Sequence, residues 1–265
     1  MPVLDAAACA ELIEALTAIA VRAAFAIHGA AGKADVRRKA DGSPVTAADM
    51  AAEAAIREGL ARLLPALPIV SEEEAEHASP PARDSYFLVD PLDGTREFIA
   101  GRDEYAINIA AMAGGAPILG VIAAPALGLI WRGIVGRGAE RMGFAADGRI
   151  LPQNPVHTRK RPQREMIVLV SRSHLDARTQ AYLGGLPEPR AIACGSAIKF
   201  CRIAEGSADL YPRLAPTRDW DVAAGHAIVT AAGGSVLAPD GAPLRYGTAE
   251  LRIPGFVAAG EPTKP

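Results

Sequence analysis

The chain has little cysteine and nothing to build a disulfide framework on. Only Cys9, Cys194 and Cys201 occur in 265 residues, with no CxxC spacing among them. An odd count of scattered cysteines reads against a stapled extracellular scaffold and fits a reducing cytoplasm. Long basic runs are also missing, and the formal net charge is −2. That balance gives no electrostatic footprint for nucleic acid, so a polyanionic ligand has to be held locally or through metal. No stretch reads as a membrane span or a targeting leader. The apolar segment 1–30 lacks a basic start and is interrupted by Asp5, Glu11, Glu14 and Arg22, which excludes both readings. No internal repeat is visible.

What is present is a globular composition, half of it hydrophobic. The length allows one large domain or two closely packed halves. Leu12, Ile13, Leu16, Ile19 and Ala20 recur at helical spacing and predict an amphipathic first helix. The polar segment 33–44 reads as a loop, and a second helix is predicted from Thr46 to about Leu64. Period-two patterns over 105–112, 117–124, 129–135 and 139–144 predict successive antiparallel strands. A proline-rich connector at 152–164 follows, and strands then alternate with helices, which predicts a mostly parallel sheet. The expected halves are 1–155, α+β, and 156–265, α/β.

The chain is organised around Asp90-Pro91-Leu92-Asp93-Gly94-Thr95. A short apolar strand, Tyr86–Val89, precedes it, and Arg96–Ala100 can start a helix. Two carboxylates about 4 Å apart repel by about 4 kcal/mol at an effective dielectric of about 20. A hard cation removes that repulsion, and oxygen ligands suit Mg²⁺. Free amides at Gly94 and Thr95 would then face a phosphate at the helix start. Three further segments carry a carboxylate at a strand end or helix start: Asp49, Glu72-Glu73 and Asp221. Each has a plainer reading. Asp49 completes a Thr-x-x-Asp capping box, Glu72–Glu74 is an acidic surface run, and Asp221 suits a helix dipole. Together they could supply a polynuclear metal site.

These blocks resemble those of the Mg²⁺-dependent, lithium-sensitive phosphomonoesterases of the inositol monophosphatase superfamily. The resemblance rests on Thr46–Asp49, Ser71-Glu72-Glu73, the intact D-P-L-D-G-T at Asp90–Thr95, and Trp220-Asp221 followed by Ala223-Ala224-Gly225, in family order. Within the superfamily the chain is most similar to the 3′(2′),5′-bisphosphate nucleotidases of sulfur assimilation. That similarity rests on Asp41–Thr46, Glu97-Phe98, Ser171–His174, Gly195–Cys201 and Ala208–Arg213. Arg96 departs from the lysine common at that position.

The resemblance implies an αβαβα sandwich with an antiparallel N-terminal sheet, a mostly parallel C-terminal sheet and the site in the cleft between the halves. It implies two to three Mg²⁺ ions. Glu72, Asp90 and the Leu92 carbonyl would hold one, and Asp90, Asp93 and Asp221 a second, with a third, weaker ion leaning on Glu72. Thr95, oriented by Asp49, would position and help deprotonate a water, while the Gly94 and Thr95 amides bind phosphate and Asp221 sits near the leaving alcohol. The implied substrate is adenosine 3′,5′-bisphosphate. Gly195 and Ser196 at a helix start, with Lys199 one turn on, are candidates for its 5′-phosphate, and Arg172 and His174 are weaker ones. The alternatives are an inositol or sugar phosphate monophosphatase and a non-catalytic nucleotide sensor. The expected protein is a cytoplasmic monomer or homodimer with no transmembrane segment, and a peripheral association with the inner membrane stays open.

Overall fold

The computed structural model describes residues 6–32, 36–39, 42–74, 84–162, 164–173 and 175–261. The chain opens on α1 (Ala6–Ala30), whose Leu12, Leu16, Ile19 and Ile27 are buried at the expected helical spacing. The described part of the expected loop instead forms a small antiparallel hairpin, β1 (Val36–Arg38) with β2 (Pro44–Thr46). Thr46 then caps α2 (Ala47–Leu63) through a complete capping box with Asp49. Helices α1 and α2 pack together against one face of a seven-stranded sheet.

That sheet runs in the order β3 (Ile69–Ser71), β4 (Ser85–Asp93), β5 (Ala106–Ala113), β6 (Ala116–Ala124), β7 (Leu129–Ile134), β8 (Gly138–Gly143) and β9 (Asn154–Val156). All neighbours are antiparallel except β3 and β4. A short helix, α3 (Thr95–Ile99), follows β4. Past the connector come β10 (Ile167–Ser171), α4 (Ala177–Gly184), β11 (Arg190–Cys194), α5 (Ile198–Ala204), β12 (Leu210–Arg213), β13 (Thr217–Arg218), α6 (Asp219–Ala231), β14 (Ser235–Leu237), β15 (Arg252–Ile253) and β16 (Phe256–Ala259). A five-stranded sheet runs β11-β10-β12-β16-β14. The strand–helix alternation produces its parallel part, β11-β10-β12. The last two strands join antiparallel, so the sheet is mixed. Here the chain returns through a loop and β15 rather than through a crossover helix.

Helix α6 is the central layer and locks the sheets together. A Cβ at Gly120 of β6 would lie 2.3 Å from the Ala224 carbonyl oxygen, and one at Gly225 2.3 Å from the Phe200 ring. Glycine at both places lets α6 seat against β6 on one side and α5 on the other. Helix α4, through Tyr182 and Leu183, and Leu186 just beyond it cover the outer face of the second sheet. The layers therefore run helix, sheet, helix, sheet, helix. Among the described residues no helix is long and apolar enough to cross a membrane.

Candidate active site

Strand β4 does not stop at Val89 but continues through the signature to Asp93. Asp90 pairs with Asn108 and Asp93 with Ala106, so three steps on β4 match two on β5. This extra residue is a β-bulge, and Pro91, which cannot donate to the ladder, sits inside it. In a regular strand, side chains at i and i+3 face opposite sides. The bulge changes that parity, and Asp90 and Asp93 both line one cavity. Gly94, at φ +94° and with Glu104 O 3.1 Å from where a Cβ would sit, turns the chain into α3. The Thr95 amide, at the first position of α3, has no intrahelical acceptor.

Three of the predicted acids converge. One carboxylate oxygen from each of Glu72, Asp90 and Asp221 lies within 4.8 Å of the other two. Asp221 arrives at the N-terminus of α6, where it accepts from the Thr217 hydroxyl and from the Arg218 amide. Asp90 is buried and also accepts from the Leu92 amide at 3.0 Å. Burial pushes its carboxyl well above the usual range, with Glu72, Asp93 and Asp221 adding repulsion. Burial likewise raises Glu72 to about 7; Lys39 opposes the shift and Asp221 adds to it. The Lys39 ammonium lies 2.8 Å from both Glu72 and Glu73. Sequence reasoning missed this internal cation, since nothing local ties position 39 to position 72.

Asp93 stands apart from the trio. Its Oδ2 accepts from the Ala197 amide at 2.5 Å and from Asn108 Nδ2 at 3.4 Å. Burial and Asp221 raise its carboxyl to about 7, against Lys199. An oxygen-only donor set in which burial and mutual repulsion raise Glu72, Asp90 and Asp93 fits a hard divalent cation.

Beside the acids, the Thr95 hydroxyl lies 3.0 Å from Asp49 Oδ1 and 3.1 Å from the Leu92 carbonyl oxygen. Asp49 Oδ2 meanwhile accepts from the Thr46 amide and hydroxyl at 2.8 and 2.5 Å. The cap and the partner of Thr95 are thus the same residue, one oxygen for each role.

The far wall of the cavity differs from expectation in detail. Helix α5 starts at Ile198, with Ala197 at its cap. Gly195 and Ser196 do line the cavity, but the Gly195 amide already donates to Glu104 Oε2 at 2.9 Å. Arg172 is no free cation either, because it forks onto the same Glu104 carboxylate. Lys199 is buried rather than solvated. Its ammonium donates to the Cys194 and Ser196 carbonyls and lies 5.0 Å from the Tyr211 ring centroid. His174 and Asp41 lie outside the described residues. Unpredicted in this role, Arg213 at the end of β12 also lines the cavity, and its buried Nε has no partner among the described residues. The cavity, about 190 Å³, is thus lined both by the acids and by Arg213.

The profile of the inositol monophosphatase family matches residues 7–260. The chain belongs to the inositol monophosphatase family. Among relatives, it is 42% identical over 237 residues to the 3′(2′),5′-bisphosphate nucleotidase CysQ of Escherichia coli O157:H7, covering 87% of this chain and 91% of that one. A Salmonella typhimurium protein of the same name is also 42% identical, over 241 residues. Among solved structures, CysQ from Bacteroides thetaiotaomicron superposes with a TM-score of 0.77 at 35% identity, covering 93% of this chain and 96% of that one. An inositol monophosphatase from Thermotoga maritima gives the same TM-score at 22% identity, a likeness of fold. The bulge in β4 and the Trp220-Asp221 start of α6 bring this member's carboxylates together.

Proposed function

We propose that this chain is a Mg²⁺-dependent 3′(2′),5′-bisphosphate nucleotidase that hydrolyses adenosine 3′,5′-bisphosphate to AMP and phosphate. The observation that carries the reading is one cavity holding both a cation-seeking acid cluster and the Arg213 guanidinium. The acids account for phosphoester chemistry. The guanidinium, a fork suited to phosphate, calls for a second anionic group on the substrate, which an inositol monophosphate lacks. The names of the CysQ relatives support the same substrate class.

In this reading residues 1–155 supply most of the cation ligands and residues 156–265 complete the pocket. Glu72, Asp90, the Leu92 carbonyl, Asp93 and Asp221 would hold two to three ions. When bound, such ions neutralise the phosphate and lower the pKa of a coordinated water. With its proton committed to Asp49, Thr95 Oγ presents lone pairs to the attacking water and relays a proton toward Asp49. The amides of Gly94 and Thr95 hold phosphate oxygens, and Asp221 stands near the leaving 3′-oxygen. Lys199 sets a positive potential in the wall, and Ser196 and Gly195 shape it.

The test is phosphate release, with Mg²⁺ and with EDTA, from adenosine 3′,5′-bisphosphate, adenosine 3′-monophosphate and inositol 1-phosphate. A Mg²⁺-dependent preference for the bisphosphate is expected. Equal or better turnover of inositol 1-phosphate would overturn the substrate assignment while keeping the chemistry. Tight binding of the bisphosphate without turnover would favour a sensor.

A further inference from the structure

Strand β5 reads Ala-Ile-Asn-Ile-Ala-Ala-Met-Ala, and Asn108 is its one polar side chain. It is 1% exposed. A primary amide in such a strand loses its water and needs partners in return. Asn108 obtains one. Its Nδ2 reaches Asp93 Oδ2 at 3.4 Å, while its Oδ1 is buried with no partner among the described residues. The stranded carbonyl oxygen destabilises the fold, so packing does not explain the residue. Its place in the ladder does: Asn108 is directly opposite Asp90, at the start of the bulge that brings Asp93 round to the cavity.

Both donors to Asp93 reach the same oxygen. The Ala197 amide approaches Oδ2 from the C-terminal half, and Asn108 approaches it from the neighbouring strand. A carboxylate with one oxygen so occupied has the other left to offer. A carboxylate with both oxygens free can chelate a cation or swing between ligand positions, and groups behind a ligand decide which occurs.

We infer that Asn108 is a positioning residue for the divalent cation: with the Ala197 amide it ties up Oδ2 of Asp93 and makes Asp93 a one-oxygen ligand. This rests on the metal reading above, but not on which phosphate ester is cleaved.

The experiment is calorimetric titration of the purified protein with Mg²⁺, and with Mn²⁺, in the absence of substrate, alongside denaturant unfolding. Asn108→Val replaces the amide by a strand-favouring apolar side chain and removes the stranded acceptor. The expected result is a divalent affinity lowered by about 10-fold or more, with an unfolding midpoint unchanged or raised. A purely structural role would not split the two readouts in that way. Asn108→Ala, which withdraws the donor without adding a branched side chain, guards against a packing effect of valine and should show the same loss. Combined with Asp93→Asn, Asn108→Val should cost little further affinity, because both act on one ligand. Wild-type affinity in a folded Asn108→Val or Asn108→Ala variant would overturn the inference, as would full additivity with Asp93→Asn. Failure of the wild-type protein to bind either ion would instead overturn the metal reading.

Discussion

The Thr95 hydroxyl donates to Asp49 Oδ1 across 3.0 Å, although 46 positions separate the two residues. Since Asp49 Oδ2 is occupied with Thr46, the pair can be tested without confusing catalysis and capping. Thr95→Val keeps the shape and removes the hydroxyl. Its expected effect is a kcat lowered about 10²- to 10⁴-fold, with KM and unfolding midpoint nearly unchanged. Thr95→Ser should recover much of the rate. Steady-state kinetics on the three proteins checks this, and a Val variant within a few-fold of wild type would remove Thr95 from the water-activating role.

Much of this site was legible in the sequence because it lies in short, contiguous blocks. Asp49, Glu72, Thr95 and Asp221 each sit at a strand end or helix start that turn and capping chemistry mark locally, and Asp90 opens a contiguous D-P-L-D-G-T block. The rest depends on contacts far apart in the chain. Gly195 reads as a free anion-binding amide until Glu104, 91 positions away, is seen to accept from it. Lys199 reads as a candidate for the 5′-phosphate until the walls that bury it and the Cys194 and Ser196 carbonyls that accept from it are in place. Arg213 was visible only as part of a matching block, since no local signal says that a strand-end arginine faces a cavity. The bulge also escaped notice, because parity along a strand cannot be read without the register of its partner. Four strands of the seven-stranded sheet, β5 to β8, were readable from period two, whereas the antiparallel closing strands of the second sheet have no such local sign.

Arg213 should discriminate between substrates. With its side chain lining the same cavity as the acids, it is expected to contribute about 2–3 kcal/mol to a charged phosphate contact. Arg213→Ala should therefore lower kcat/KM for adenosine 3′,5′-bisphosphate by roughly 30- to 150-fold. Activity on a substrate lacking the second phosphate should change little. A parallel loss on adenosine 3′-monophosphate would show that Arg213 serves the reacting phosphate or the fold instead.

Stability should depend on pH with opposite signs in the presence and absence of divalent cation. Burial raises Glu72 and Asp93 to about 7 and Asp219 to about 6, and Asp90 also moves up. Between their unfolded and folded values the native state binds more protons, so metal-free stability is full at the acid end of this window. It is then lost as pH rises through about 7. His226 works the other way: burial lowers it to about 4, so its unfolded form binds the extra proton and stability rises with pH. In EDTA the several carboxylates outweigh one histidine, and the unfolding midpoint should fall between about pH 5 and 7.5. Saturating Mg²⁺ should ionise the acids and cancel or reverse that slope. Thermal unfolding at both pH values, with and without Mg²⁺, reads the result; a falling midpoint in both series would contradict it.

A second charge pair, outside the cavity, should show an asymmetry. Asp209 is buried and accepts from Arg159 at 2.6 and 2.7 Å and from the Ile167 amide at 2.7 Å, tying the connector to β10. The Arg159 side chain is 38% exposed against 1% for Asp209. Asp209→Asn leaves an arginine that can turn to water and an amide that can still be served, so it should cost about 1–2 kcal/mol. Arg159→Ala strands a buried carboxylate and should cost more, toward about 3 kcal/mol. Denaturant unfolding ranks the two. Equal losses would mean that the pair is relaxed and solvated in the folded protein, and in either case kcat should stay close to wild type because neither residue reaches the cavity.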